Sequence, residues 1–165
     1  MSRAPLAGGL VLKIASDIVR WFATVRLKDV PLVGGKNASL GELYGVLGEA
    51  GVRVPDGFAL TADAYRDALT AAGAWPRLRT LLDGLDVTDV ALLTQRAKEA
   101  RRIVYDATGS DALRQDIAES YRVLESEYGQ NVAVAVRSSA TAEDLPTASF
   151  AGQHESYLSR QSRNQ

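Results

Sequence analysis

Asn131-Val132-Ala133-Val134-Ala135-Val136-Arg137-Ser138-Ser139 sets five apolar residues in a row between an amide and an arginine. A strand with one face in water alternates apolar and polar residues, so a run without a polar member reads as a strand covered on both faces. The pattern predicts a central buried strand over residues 132–136, with Arg137 just past its carboxyl end. Ligands of open α/β sheets bind outside that end. The planar guanidinium of Arg137 can hold anionic oxygens through two parallel hydrogen bonds, and Ser138, Ser139 and Thr141 offer further donors. A competing reading pairs Arg137 with Glu143 or Asp144. A serine nucleophile is poorly supported, because His154 is the single histidine and has no evident partner set.

Downstream, residues 138–149 are small and polar, with one proline and two acids. Ala148-Ser149-Phe150-Ala151-Gly152-Gln153-His154-Glu155-Ser156 places small residues around a glycine. Such a loop can fold over a ligand, and it can equally be a plain hairpin connection before an extended piece at residues 155–158. A lone histidine beside a strand is more often structural than catalytic.

Upstream, residues 88–107 read as a long helix with Val90, Leu93, Ala97, Ala100 and Val104 on one face. Gly109 breaks it, and Ser110 caps a further helix with Leu113, Ile117, Leu124 and Tyr128 inward. Thr61 can cap a helix that stops by Gly73, and a short helical stretch follows Trp75-Pro76 to Leu82. Asp56-Gly57 is a turn between extended pieces at residues 52–55 and 58–60. Residues 18–25, rich in β-branched and aromatic side chains, predict a strand.

Nearer the start, Val33-Gly34-Gly35-Lys36-Asn37-Ala38-Ser39-Leu40-Gly41-Glu42 joins a glycine pair to a lysine. Glycines let a backbone turn tightly and approach a ligand closely, and a cation at a helix entrance adds to a dipole that already favours anions. A helix is expected from Asn37 as N-cap, with Leu40, Leu43 and Leu47 at helical spacing and Gly51 ending it. The segment is no P-loop, since the earlier glycine and the hydroxyl residue after the lysine are missing. A glycine turn before a surface lysine accounts for it equally well.

Composition narrows the classes. The chain has 165 residues, no cysteine, one histidine and a formal net charge of −1. Disulfides, thiolate catalysis and cysteine or multi-histidine metal sites within it are excluded, and the charge gives no reason to expect nucleic acid or an acidic membrane as partner. No apolar run reaches the roughly 18 residues of a bilayer span, and the mildly apolar start lacks the form of a secretory signal. A cytoplasmic setting is expected.

Taken together, VGGKNASLGEL (33–43), VRVPDGFA (52–59) and VRSSATAEDLPTASFAGQHESYL (136–158) resemble the amino-terminal ATP-binding domain of phosphoenolpyruvate synthases, the pyruvate, water dikinases. The wider group includes pyruvate phosphate dikinase and rifampicin phosphotransferase. Three separated motifs in the family's order and spacing are far more specific than any one of them. The resemblance implies an α/β (α+β) chain forming the first, incomplete part of an ATP-grasp nucleotide-binding domain over residues 17–158, after a poorly defined lead-in (1–16) and before a divergent polar tail (159–165).

By the same resemblance Lys36 and Arg137 hold ATP phosphates, and Gly152 and Ser156 lie beside the nucleotide. The family reaction turns ATP, pyruvate and water into phosphoenolpyruvate, AMP and phosphate. It uses a phosphocarrier histidine on a swivelling domain, a role that His154 does not match. It also uses Mg2+, whose carboxylate ligands come from the second half of the domain. No catalytic residue and no metal ligand are therefore expected here, pyruvate enters only through other domains, and the chain is expected to be inactive alone. Association with the remaining half, or self-association, follows from the same picture. Two other readings stay open: the ATP-binding part of a rifampicin-phosphotransferase-like enzyme, and a non-catalytic nucleotide-binding fragment that pairs with a separately encoded remainder.

Overall fold

The computed structural model describes residues 17–141, 144–145, 148–149 and 156–158. It is an α+β arrangement of helices and small antiparallel sheets, in the order β1 (Val19–Trp21), α1 (Val30–Val33), α2 (Gly35–Glu49), β2 (Phe58–Leu60), α3 (Ala62–Ala71), α4 (Ala74–Leu82), α5 (Val90–Thr108), α6 (Asp111–Tyr128), β3 (Ala135–Arg137), β4 (Asp144–Leu145), β5 (Ala148–Ser149) and β6 (Ser156–Leu158). The expected lead-in, Gly152, His154 and the polar tail lie outside the described residues.

β1 pairs antiparallel with β2, and Trp21 stands opposite Phe58. Their rings meet at a centroid distance of 5.5 Å and a tilt of 59°, an aromatic cross-strand pair of the kind that holds short ladders together. The strand expected over residues 18–25 stops at Trp21, because Phe22–Thr24 tightens into a 3-10 turn. That turn is held from outside: the Asp56 carboxylate accepts from the Ala23 N–H at 3.3 Å and from the Gly57 N–H at 2.8 Å. Asp56 is itself buried, and its N–H donates to the Tyr128 hydroxyl at 2.7 Å. One carboxylate thus ties the 3-10 turn after β1 to the turn before β2, and α6 reaches in to complete it.

Two apolar clusters form the core. Val25, Val33, Ala38 and Ala59 gather where β2, α1 and α2 meet, and Leu69, Ala74, Leu81, Ile103 and Ala107 gather among α3, α4 and α5. The helix ends follow the capping logic of the sequence. Thr61 accepts from Ala64 N–H at 3.1 Å to start α3, and Ser110 accepts from Leu113 N–H at 3.4 Å to start α6. α5, expected over residues 88–107, runs from Val90 to Thr108 with Asp89 as its cap, and its buried residues are Ile103 and Ala107. Of the expected face, Ala100 and Val104 pack against the cluster that holds these two, whereas Val90, at the start of the helix, is 70% exposed. On α6, Leu113 and Leu124 are buried as expected, whereas Ile117 and Tyr128 lie nearer the surface.

Helix α2 departs most from its pattern. Its buried positions are Ala38 and Gly41, while Leu40 and Leu43 are exposed. The helix lies so close to Val25 that a methyl carbon built on Gly41 would sit 2.5 Å from the Val25 carbonyl oxygen. Close approach selects the side with the smallest residues, and the leucines are turned outward.

The buried central strand is also corrected. β3 covers only Ala135–Arg137, pairs antiparallel with β6, and is exposed along its length. The front of the apolar run is held elsewhere, since the Tyr121 hydroxyl donates to the Val132 carbonyl at 2.7 Å. Hydrophobicity of the run specifies that it should be covered, and among the described residues no element covers Ala135–Arg137.

Candidate functional site

Two of the sequence motifs, the glycine pair before Lys36 and the segment after Arg137, meet at the start of α2. Gly34 adopts φ +81°, a left-handed conformation that favours glycine, and it turns the chain from α1 straight into α2. The helix therefore starts at Gly35, two residues before the expected cap. Asn37 does not cap it; its side-chain amide instead donates back to the Val33 carbonyl at 2.9 Å. Lys36 is in the first turn and exposed. That turn contains no acidic residue, and a cation there stands at the positive end of the helix dipole.

This turn rests on the segment that follows β3. Gly35 N–H donates to the Ala140 carbonyl at 3.2 Å, and Asn37 N–H donates to Ser139 Oγ at 3.2 Å. A methyl carbon on Gly34 would lie 2.3 Å from Ser139 Oγ and 2.7 Å from the Ser139 carbonyl carbon and oxygen. The second glycine-pair position needs no such clearance, because nothing lies within 4 Å of a Cβ on Gly35. The two motifs, far apart in sequence, are thus in direct backbone contact.

Arg137 ends β3 and is exposed. In the β3–β6 ladder it stands in register with Ser156. Lys36 thus follows the glycine pair that seats on Ser139 and Ala140, Arg137 lies two residues before that serine, and Ser156 stands across the ladder from Arg137. Gly152 lies outside the described residues.

The chemistry available here is that of a cation-and-hydroxyl set. The amides on either side of Lys36 are already bonded to protein, Gly35 N–H to Ala140 and Asn37 N–H to Ser139, so these two helix-entry donors are not open to an anion. Such a set suits phosphate oxygens and opposes a divalent cation. Among the described residues, no three or more Asp, Glu or His side chains gather to hold a metal ion, and no helix is long and apolar enough to cross a membrane. Surface cavities of about 300 Å³, bordered by Arg20, Lys28 and Asp29, and about 440 Å³, bordered by Trp75 and Arg79, lie away from this junction.

Sequence reasoning named Ser139 only as one more donor to a ligand. Its hydroxyl oxygen instead receives the α2 amide, and no local pattern could reveal a partner 102 residues away.

The family model described as pyruvate phosphate dikinase, AMP/ATP-binding domain, matches residues 30–165. Among curated proteins the chain is 51% identical over 146 residues to the phosphoenolpyruvate synthase of Synechocystis sp., covering 86% of this chain and 18% of that protein. It is 49% identical over 146 residues to that of Neisseria meningitidis, covering 88% and 18%, and 44% identical over 147 residues to that of Escherichia coli, covering 89% and 18%. The chain thus spans 18% of the length of these relatives.

Proposed function

Because the chain belongs to the family of the pyruvate phosphate dikinase AMP/ATP-binding domain, we propose that it is an ATP-binding portion of a phosphoenolpyruvate synthase, with Lys36 and Arg137 on the triphosphate and Gly152 and Ser156 beside the nucleotide. The observation that carries this reading is the seating of the Gly34-Gly35 turn on Ser139 and Ala140, which brings the two cationic motifs to one place. In the reaction of such a synthase, ATP, pyruvate and water give phosphoenolpyruvate, AMP and phosphate.

This chain's share is the nucleotide end. Lys36 contributes a compact charge on a flexible stem, and Arg137 a rigid fork of donors. Between them they offset phosphate charge and fix its orientation, the two contributions that phosphoryl transfer draws from protein side chains. Magnesium, when bound, neutralises charge developing on the phosphates. No residue described here is assigned to it, and no step is routed through it. Pyruvate and the phosphoryl-carrying histidine belong to other parts of such an enzyme. A cytoplasmic setting is part of the same proposal.

Partner contact follows from the same reading. Val136, Tyr157 and Leu158 on the β3–β6 ladder are 59%, 62% and 70% exposed. Exposed apolar side chains of this kind, on both faces of the ladder, favour burial against another surface, either the remainder of the synthase or a second copy.

Calorimetric titration with ATP, with and without magnesium, tests the site. A hydrogen bond to a charged group contributes about 1.5–3 kcal/mol, so Lys36→Ala and Arg137→Ala should each weaken binding about tenfold or more. Arg66→Ala is the control, since Arg66 makes an exposed bond to Asp63 within α3. Affinity should fall as salt rises, because exposed charges are screened. Unchanged affinity for Arg137→Ala, with an intact circular dichroism spectrum, would remove Arg137 from the site.

A further inference from the structure

We propose that Ser139 is a positioning residue, whose hydroxyl fixes the Lys36 turn relative to Arg137; the inference rests on the ATP-binding reading above. Lys36 lies between Gly35 and Asn37, and the amides of both are held by the segment just after Arg137, at Ala140 O and Ser139 Oγ, each at 3.2 Å. The first amides of a helix have no acceptor within it, so Ser139 Oγ supplies a partner that the helix cannot provide. Gly34 brings the two backbones close enough for this, since any side chain there would overlap Ser139.

A hydroxyl has one donor and two acceptor positions. Ser139 receives the Asn37 amide through one of its acceptor positions, so its part in the site is to hold the turn that carries Lys36. Removing the hydroxyl leaves the Gly35–Ala140 bond in place, so the turn remains attached and loses one of its two fixed points. Lys36 would then sample positions displaced from Arg137, and the two cations would act on the phosphates less often together.

The test is a double-mutant cycle on the 165-residue chain, read by calorimetric titration with ATP. Ser139→Ala should weaken binding about three- to tenfold, the range set by one net hydrogen bond. Ser139→Thr keeps the hydroxyl and should stay within about twofold of the parent. The cycle decides the role, because residues that act through one another are not additive. In a Lys36→Ala background, Ser139→Ala should have almost no further effect.

An equal loss in both backgrounds would mean that Ser139 acts independently of Lys36, which overturns the positioning role and leaves the ATP site standing. So would parent-like binding by Ser139→Ala. Failure of the parent chain to bind ATP overturns the site reading itself, and the positioning role with it. Amide hydrogen exchange gives a readout separate from affinity: Ser139→Ala should speed exchange at Asn37 and leave α3–α6 unchanged. Loss of protection throughout α3–α6 would instead make Ser139 a residue of general stability and refute the inference.

Discussion

Replacing Gly41 by alanine tests whether close backbone approach, more than apolar pattern, seats α2. The added methyl carbon would lie 2.5 Å from the Val25 carbonyl oxygen, 2.7 Å from Val25 Cβ and 2.8 Å from its Cγ1. Val25 is buried at 1% exposure, so neither it nor the helix can move without disturbing the cluster around Val33, Ala38 and Ala59. Overpacking of this kind costs about 1–3 kcal/mol, against a helix-propensity gain of about 1 kcal/mol for alanine over glycine. The overlap involves backbone and a branched side chain, so the steric loss falls at the upper end of that range, about 2–3 kcal/mol, and a net destabilisation of about 1–2 kcal/mol is expected.

Gly48, in the same helix, has nothing within 4 Å of a Cβ. Gly48→Ala should therefore stabilise by about 0.5–1 kcal/mol. Urea unfolding followed by circular dichroism measures both. With a slope of about 2 kcal/mol per molar, Gly41→Ala should lower the midpoint by roughly 0.5–1 M and Gly48→Ala should raise it. A Gly41→Ala midpoint at or above that of the parent would refute the account of how α2 is seated.

Thr61→Ala should cost about 1–3 kcal/mol in the same assay, because the buried hydroxyl accepts from Ala64 N–H and donates to the Asp17 carbonyl at 2.8 Å; an unchanged midpoint would show that the cap contributes nothing. Tyr128 predicts a pH effect. Burial, followed by the influence of Glu127, raises its phenol above the ordinary value of 10.0, although the Asp56 N–H opposes this. The folded state thus keeps its proton where the unfolded state releases it, so stability is intact below about pH 10 and declines as pH rises from there towards the folded value. Urea midpoints from pH 8 to 11 should fall more steeply for the parent than for Tyr128→Phe, and parallel curves would exclude Tyr128 as the cause.

Local chemistry was legible in the sequence where one residue decides the outcome. Thr61 and Ser110 cap their helices as their side chains suggest, Gly51 ends α2 in a left-handed conformation at φ +77°, and residues 58–60 form a strand. Errors arose where a distant surface decides. Leu40 and Leu43 have helical spacing, but Val25 admits only the Ala38–Gly41 side of α2. The 132–136 run has the composition of a covered strand, yet Tyr121 holds Val132 and only Ala135 and Val136 of the run reach the ladder. For the site, residue types pointed to Lys36 and Arg137, whereas their joining through Gly34 and Ser139 depends on a contact that no window along the chain contains.

That contact also has a place in time. Asn37 leaves the ribosome 102 residues ahead of Ser139, an interval of roughly 5–20 s at about 5–20 residues per second. Helices α3, α4 and α5 pack on one another within a short stretch of chain and can assemble during that interval. The Lys36 turn has to wait for its acceptor. Closing a loop of about this length costs on the order of 4 kcal/mol in chain entropy before any bond offsets it. The junction is therefore a late event in folding and an early casualty of unfolding, and Asn37 should acquire amide protection after Ile103 when refolding is sampled by pulsed hydrogen exchange.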